Sequence, residues 1–197
     1  MTYQLLIALL GFAFVTSVTP GPNNMMLMAS GANFGFQRSI PHMLGISLGH
    51  ALMVFLVGMG LAGAVQAVPG LLTGMKIVSI VYMLWLAWKI AHSAAPGEGK
   101  SGGHPFSFLQ AAAFQWVNPK AWAMALGATS AYAPDGSVQS YLTVAAVFAA
   151  VNLPSVSLWA FAGQAVRQFL TVPARLQAFN WTMAGLLIAS LIPVLVQ

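Results

Sequence analysis

Long apolar stretches with almost no charge constrain this chain more than any other feature of its sequence. Apolar residues make up 59% of the 197 positions and charged residues only 5%, whereas soluble domains carry about 25% charged residues. This composition excludes an ordinary water-soluble globule, and it excludes intrinsic disorder, which requires the opposite balance. Because a helix that crosses a membrane needs about 20 apolar residues, the sequence predicts an all-α, polytopic membrane protein.

Six apolar runs predict six transmembrane helices. They cover about 3–19, 41–66, 70–91, 106–132, 139–163 and 176–196. The first run has no Lys or Arg before it and lacks a small-x-small cleavage site after it, so we interpret it as a retained helix and not as a signal peptide. The chain, 1–197, is then a single transmembrane domain with two halves, about 1–92 and 106–197, joined by a cytoplasmic link of about 93–105.

The few charged residues predict the orientation of the helices. Five basic residues lie in or beside three links on one side: Arg38, Lys89, Lys100, Arg167 and Arg175. The links on the other side carry only Lys76 and Asp135. The positive-inside rule therefore places the three basic links in the cytoplasm and both termini outside, with Trp85, Trp88 and Trp159 expected at the cytoplasmic interface. The net charge of +5 thus reports topology, and no nucleic-acid partner is expected.

Two proline-containing breaks interrupt the first and fourth predicted helices. The first break is Thr19-Pro20-Gly21-Pro22-Asn23-Asn24, and the second is Gln115-Trp116-Val117-Asn118-Pro119-Lys120. Within a membrane, such breaks are tolerated only where protein or a water-filled cavity covers the backbone. One break in the first helix of each half is typical of two inverted three-helix repeats around a central binding site. An interfacial loop at Pro20 and a simple kink at Pro119 are the alternative.

The breaks offer groups that suit a zwitterion. A half-helix that begins near Asn23 directs free N–H groups and a positive dipole end at an anion, while carbonyl groups before Pro20 face a cation. Lys120 adds a positive charge about halfway along its helix, and an ionisable residue at that depth is a functional-site hypothesis. The alternative for Lys120 is that its ammonium group snorkels to the interface.

On these residues the chain resembles the LysE/RhtB family of amino-acid exporters. The matching elements, in chain order, are residues 19–24, Gly31, Gly35, Arg38, Gly45, Gly49, Tyr82, residues 85–89 and residues 118–121. The pair Asn23-Asn24 and the stretches 47–49 and 85–91 are most similar to the cysteine/O-acetylserine exporter branch. The resemblance implies proton-driven export of small amino acids from the cytoplasm of a bacterial-type cell, through its inner membrane.

Two positions depart from the family pattern and bear on proton coupling. Many family members have Asp in place of Asn23 and Asn in place of Gln115. Neither acidic residue of this chain lies in a predicted span, because Glu98 and Asp135 both fall in links. The titratable candidates for proton coupling are therefore His50 and Lys120, since histidine titrates near neutral pH. The alternative for His50 is a hydrogen-bonded packing role in the helix bundle.

We therefore predict a proton-coupled exporter of small neutral amino acids. Its predicted substrate site consists of Pro20, Gly21, Pro22, Asn23, Asn24, Asn118, Pro119 and Lys120. Asn152 is expected in an interhelical hydrogen bond, with a substrate contact as the alternative, and the glycine pairs 31/35, 45/49 and 70/74 are expected in close helix packing. The lipid bilayer, the substrate and protons are the expected partners. No metal or other cofactor is predicted, and a homo-oligomer is compatible with the sequence.

Two other functions remain open from the sequence. The pattern Gly45-Ile46-Ser47-Leu48-Gly49 fits the nucleophile motif of a serine hydrolase, although that motif requires a strand-turn-helix context. His50 is the only histidine expected at membrane depth and shares its helix with Ser47, whereas His42, His92 and His104 are expected at interfaces or in a link. A passive channel would also use broken helices, but no ring of like charge or filter-like repeat is present. The lack of cysteine excludes thiol chemistry.

Overall fold

The computed structural model describes residues 1–93 and 104–192, and all regular secondary structure in these two ranges is helical. The helices are α1 (Tyr3–Val18), α2 (Pro22–Phe34), α3 (Ile40–Leu56), α4 (Ala62–Gln66), α5 (Leu71–Ala91), α6 (Phe108–Phe114), α7 (Pro119–Tyr132), α8 (Val138–Arg167) and α9 (Pro173–Ala189). Single turns also occur at Gln37–Ser39, Val57–Leu61 and Gln115–Val117. Most of the predicted link 93–105, with Glu98 and Lys100, lies outside the described residues.

Three helical stretches are individually long and apolar enough to cross a membrane. They are Gln37–Gln66, Leu71–Ala91 and Val138–Arg167. The pair α1 and α2 makes a fourth candidate, although its two halves bend by 56° at the break. The remaining predicted spans are shorter, because α6 and α7 are separated by a turn and α9 has 17 residues. The all-helical membrane class is thus confirmed, and the count of six spans stays a prediction.

Both predicted breaks are present, and each is followed by a helix that begins with a proline. α1 ends at Val18 and α2 begins with Pro22, while α7 begins with Pro119. Proline is favoured at the first position of a helix because it has no N–H to leave unpaired and its φ angle is already helical. α2 then extends to Phe34, five residues beyond the apolar stretch that ends at Ala29.

A third irregularity, not predicted from the sequence, divides the second span. A π turn at Val57–Leu61 joins α3 to α4, and Gly60 within it has φ of 102°. Glycine adopts this left-handed conformation without a Cβ penalty. Gly58 lies against the ring of Tyr141, where a Cβ atom would be 2.4 Å from a ring carbon. The two glycines therefore allow both the turn and the close approach of α8.

α8 is the central helix of the bundle. It packs most extensively against α2 and also contacts α3 and α1, while α3 packs against α6 and α5 against α9. Leu9, Met53 and Phe148 are fully buried in the largest apolar cluster. α1, α2 and α3 all pack on α8, so one side of the first break, at Gly21 and Pro22, is buried in the bundle, while Thr19 and Pro20 are exposed.

Glycines permit the closest helix contacts, as predicted for two of the three pairs. A Cβ on Gly31 would lie 2.0 Å from the Ala160 carbonyl oxygen, and one on Gly45 would lie 2.3 Å from the Phe108 carbonyl oxygen. Gly49 makes a similar approach to Ala112. The prediction for the pair 70/74 is wrong within the described residues, because a Cβ at either position meets no atom within 4 Å.

We expect Gly31→Ala to destabilise the bundle by about 1–3 kcal/mol, because α2 and α8 must separate to accommodate the methyl group. Gly185→Ala is the matched control, since that position in α9 has open space around it. The midpoint of thermal unfolding in detergent should fall for Gly31→Ala and stay the same or rise for the control. Equal midpoints for the two variants would contradict the packing described here.

Candidate functional site

Side chains from elsewhere in the bundle satisfy the carbonyl groups exposed by the first break. The Asn24 amide donates to the carbonyl oxygens of Ser17 at 2.9 Å and Thr19 at 2.7 Å. The Trp159 indole N–H donates to the Val18 carbonyl at 3.1 Å. Trp159, expected in an interfacial belt, thus also binds the backbone of the first break. Backbone groups away from water need such partners, so these contacts keep the break open.

Lys120 reaches from the second break to the first. Its ammonium group donates to the Thr19 carbonyl oxygen at 2.6 Å, to the Thr19 hydroxyl at 3.0 Å and to the Pro20 carbonyl at 3.4 Å. The cation that these carbonyl groups face is thus a side chain of the protein. Charge-assisted hydrogen bonds are stronger than neutral ones, so Lys120 ties the two breaks together.

A pair of side-chain amides forms the second link between the breaks. Asn23 donates to Gln115 at 2.9 Å, and Gln115 donates back to Asn23 at 3.1 Å. Gln115 is fully buried and also donates to the Ala111 carbonyl at 2.9 Å. Sequence reasoning noted Gln115 only as a departure from the family pattern. The signal for its role was its position at the second break.

The second break is satisfied by short-range contacts. The Asn118 side chain accepts a hydrogen bond from the Lys120 backbone N–H at 3.2 Å and so caps α7. The Trp122 indole donates to the Trp116 carbonyl at 3.0 Å, and the Ser79 hydroxyl donates to the Val117 carbonyl. Asn24 and Asn118, both predicted to bind substrate, thus have side chains engaged in holding the backbone.

The two breaks line one cavity, whose space is about 310 Å³ when the solvent at its open side is included. Its lining residues are Thr16, Ser17, Gly21, Asn23, Asn24, His50, Gln115, Asn118, Lys120, Ala121, Met124, Asn152 and Val156. The structure therefore brings together both coupling candidates and five of the eight predicted substrate residues. Pro20, Pro22 and Pro119 do not line this cavity.

Three buried polar side chains around this cavity have atoms without a hydrogen-bond partner among the described residues. They are the Ser17 hydroxyl, both ring nitrogens of His50 and the Asn152 side-chain oxygen. The His50 ring packs edge-on against Phe148, with 5.1 Å between ring centroids. The expected interhelical hydrogen bond is thus missing at the Asn152 oxygen. Unpaired buried polar atoms are costly, so these atoms favour a polar occupant.

The N-terminus of α2 is open on the same cavity. Gly21 precedes the helix without a side-chain hydrogen bond to cap it, in contrast to Asn118 at α7. The first N–H groups of a helix lack intrahelical partners and carry a partial positive charge. Beside the Lys120 ammonium group, they provide the chemistry to bind a carboxylate.

The structure supports no Ser–His pair for hydrolysis. The Ser47 hydroxyl and both His50 ring nitrogens have no hydrogen-bond partner within the described ranges. His42 is 2% exposed and stacks on Phe106, with 5.3 Å between centroids. His42 is therefore enclosed by protein, and its position near a membrane interface stays a prediction.

Gly21 allows the Lys120 chain to cross the first break. A Cβ at Gly21 would lie 2.7 Å from Cδ of Lys120 and 3.1 Å from its nitrogen. We expect Gly21→Ala to displace the ammonium group from Thr19 and to lower transport about tenfold, a loss of roughly 1.4 kcal/mol. Transport into vesicles that contain equal amounts of wild-type or variant protein measures this loss. Gly127→Ala, where a Cβ makes only ordinary contact at 3.5 Å, is the control, and equal activity of the two variants would contradict the crossing.

The bundle is a helical membrane protein in which two proline-containing breaks line one polar cavity, an arrangement that occurs in membrane transporters. The LysE type translocator profile matches residues 14–195, and the chain belongs to this family.

Curated relatives carry transporter names. A cysteine/O-acetylserine efflux protein of Klebsiella pneumoniae is 28% identical over 203 residues, covering 100% of both chains. Proteins of the same name from Salmonella paratyphi A and Escherichia coli K12 are 33% and 32% identical over 166 residues, covering 83% of this chain and 84% of theirs. No solved structure matches. The family and these relatives are transporters and not enzymes, so the hydrolase alternative is set aside.

Proposed function

We propose that this protein exports small neutral amino acids or derivatives, similar to cysteine and O-acetylserine, from the cytoplasm across a bacterial-type inner membrane. The observation that carries the proposal is the cavity at which the two breaks meet. It combines the Lys120 ammonium group and an uncapped helix N-terminus with three side chains that have unpaired polar atoms. The names of the relatives support the substrate class.

The substrate's carboxylate binds at the N-terminus of α2 beside Lys120. Its ammonium group binds the acceptor atoms of Ser17 and Asn152, which have no other partner among the described residues. Binding energy then comes from groups that are unsatisfied in the absence of substrate.

Two inverted repeats fit several of the helix contacts, although α2 packs far more extensively against α8 than α7 does against α3. One repeat comprises α1 to α5 and the other α6 to α9, so that α1 is equivalent to α6 and α3 to α8. The α1–α8 contact in one half therefore corresponds to the α6–α3 contact in the other. Both contacts occur. The α3–α8 and α5–α9 contacts, each between equivalent helices of the two repeats, occur as well. Six spans and rocking of the repeats about the cavity follow from this arrangement.

The charge distribution supports both termini outside. The Phe36 N–H donates to the Gln164 side chain at 2.6 Å, which joins the loop containing Arg38 to the end of α8 containing Arg167. Lys89 lies in the last turn of α5, at the opposite end of that helix from Lys76. By the positive-inside rule, the end with Arg38 and Arg167 faces the cytoplasm.

Proton coupling uses His50, with Lys120 as the second titratable group of the cavity. We expect His50→Gln to retain exchange of labelled for unlabelled substrate while losing most of the acceleration by a proton gradient, because glutamine keeps a polar group and cannot titrate. Vesicles with an imposed pH gradient measure both activities. A normal gradient response in this variant would remove His50 from the coupling mechanism.

Uptake into everted vesicles tests the proposed function. Labelled O-acetylserine should accumulate against its gradient in vesicles that contain the protein, and an uncoupler should abolish accumulation. Equilibration that survives the uncoupler would contradict secondary transport and favour the passive channel. A failure to transport any small neutral amino acid would overturn the proposal.

A further inference from the structure

A second polar cavity lies further along α2, and the proposed central site does not use it. It measures about 550 Å³ and lies among α2, the start of α3, the end of α5 and residues 104–106. Its polar lining includes Ser30, Asn33, His42 and Lys89. Lys89 comes from the basic end of the bundle, so this cavity lies between the central cavity and the proposed cytoplasmic surface.

Buried polar atoms in this second cavity have no partner within the described residues. Both ring nitrogens of His42 and the side-chain oxygen of Asn33 are unpaired, although these residues are only 2% and 6% exposed. The Asn33 amide nitrogen is engaged with the Ala29 carbonyl at 2.8 Å and with Asn180 at 3.2 Å, which fixes the oxygen as its free atom. A neutral imidazole always presents one donor and one acceptor. These groups can therefore hydrogen-bond a polar ligand.

One face of α2 serves both cavities. Asn23 lines the central cavity, while Met26, Ser30 and Asn33 line the second, and their spacing of three or four residues places them in one row along the helix. Met26 is 5% exposed and packs in a cluster with Phe114. A methionine side chain is unbranched and flexible, and Met26 lies in this row between Asn23 of the central cavity and Ser30 of the second.

We propose that the second cavity is a cytoplasmic-side binding site for the same zwitterionic amino acid, occupied before the substrate passes Met26 to the central site. The Lys89 ammonium group attracts the carboxylate, while Asn33 and His42 bind the ammonium group. The apolar lining, which includes Leu86, Ile90 and Phe106, favours an uncharged side chain. The inference rests on the proposed export function and adds a second site to it.

A cysteine protection experiment tests this site directly, because the native chain has no cysteine. Ala29 lines the second cavity, so the thiol introduced by Ala29→Cys should react with a charged methanethiosulfonate added to everted vesicles. O-acetylserine should slow that reaction at least severalfold, and it should do so equally when Lys120→Ala disables the central site. No protection, or protection that disappears with Lys120→Ala, would overturn the second site.

Transport kinetics provide a measurement that separates this site from a structural role. His42→Phe should raise KM for O-acetylserine about fivefold with little change in maximal rate, since phenylalanine keeps the stacking on Phe106 and removes the polar atoms. His92→Phe is the matched control, because His92 is exposed outside this cavity. An unchanged KM in the folded His42→Phe variant would contradict the proposal.

A wild-type protein without transport activity would instead refute the proposed function, and the protection experiment does not depend on that activity.

Discussion

Replacing Lys120 with alanine should lower the initial rate of O-acetylserine transport by about 10- to 100-fold, as expected when one charge-assisted hydrogen bond of roughly 1.5–3 kcal/mol between the two breaks is lost. The ammonium group holds the Thr19 and Pro20 carbonyls at 2.6 Å and 3.4 Å. Its removal therefore takes away the positive charge of the cavity and the tie between the breaks. Uptake into everted vesicles, corrected for the amount of inserted protein, measures the effect.

Two further variants make this prediction specific. Lys76→Ala removes the same side chain from α5, outside the central cavity, and should transport at nearly the wild-type rate. Lys120→Arg should recover only part of the activity, because the larger planar guanidinium does not replace an ammonium group beside Gly21. Wild-type transport by Lys120→Ala would return Lys120 to a snorkelling role at the interface.

Loss of the amide pair between the breaks should have the second largest effect. Asn23→Ala leaves the buried Gln115 side chain without its partner at 2.9 Å, at a cost of about 1–3 kcal/mol. We expect transport to fall about tenfold in Asn23→Ala and in Gln115→Ala. The double alanine variant should be little worse than either single variant, because both changes remove the same interaction.

A swap of the two amides provides the matched control. Asn23→Gln combined with Gln115→Asn keeps both amides and the total side-chain length, so it should transport better than either alanine variant. Effects that multiply in the double alanine variant, together with no recovery in the swap, would show that the two side chains act independently. That result would contradict the claim that the hydrogen-bonded pair of Asn23 and Gln115 holds the two breaks in position.

The positions of the breaks could be predicted from the sequence because proline acts locally. Pro22 and Pro119 begin their helices wherever the rest of the chain lies, and both do so in the structure. The helical membrane class was equally accessible, since it follows from the scarcity of charge. The π turn at Gly60 was missed because its glycines resemble ordinary small residues of a membrane helix.

Side-chain partners could not be predicted, because they depend on which helices become neighbours. Asn24 was expected to bind substrate, yet its amide donates to the carbonyl groups that the first break exposes. Trp159 was expected only as part of an interfacial belt, and its hydrogen bond to Val18, 141 positions away in sequence, could not be predicted. Ser17 and His42 carried no local signal, and only the packed bundle shows that each lines a cavity with a polar atom unpaired within the described residues.

The central claim is that the two breaks form one substrate site, and protection of a single introduced thiol at Ser17 tests it most directly. Ser17→Cys changes one atom in the wall of the central cavity, and the rate of its modification by a small methanethiosulfonate can be followed with and without O-acetylserine. Gln139→Cys, at an exposed position near the start of α8, is the control. We predict that substrate slows modification at position 17 severalfold and leaves position 139 unchanged, and that Lys120→Ala abolishes this protection. Equal rates with and without substrate, in a Ser17→Cys variant that still transports, would contradict the site.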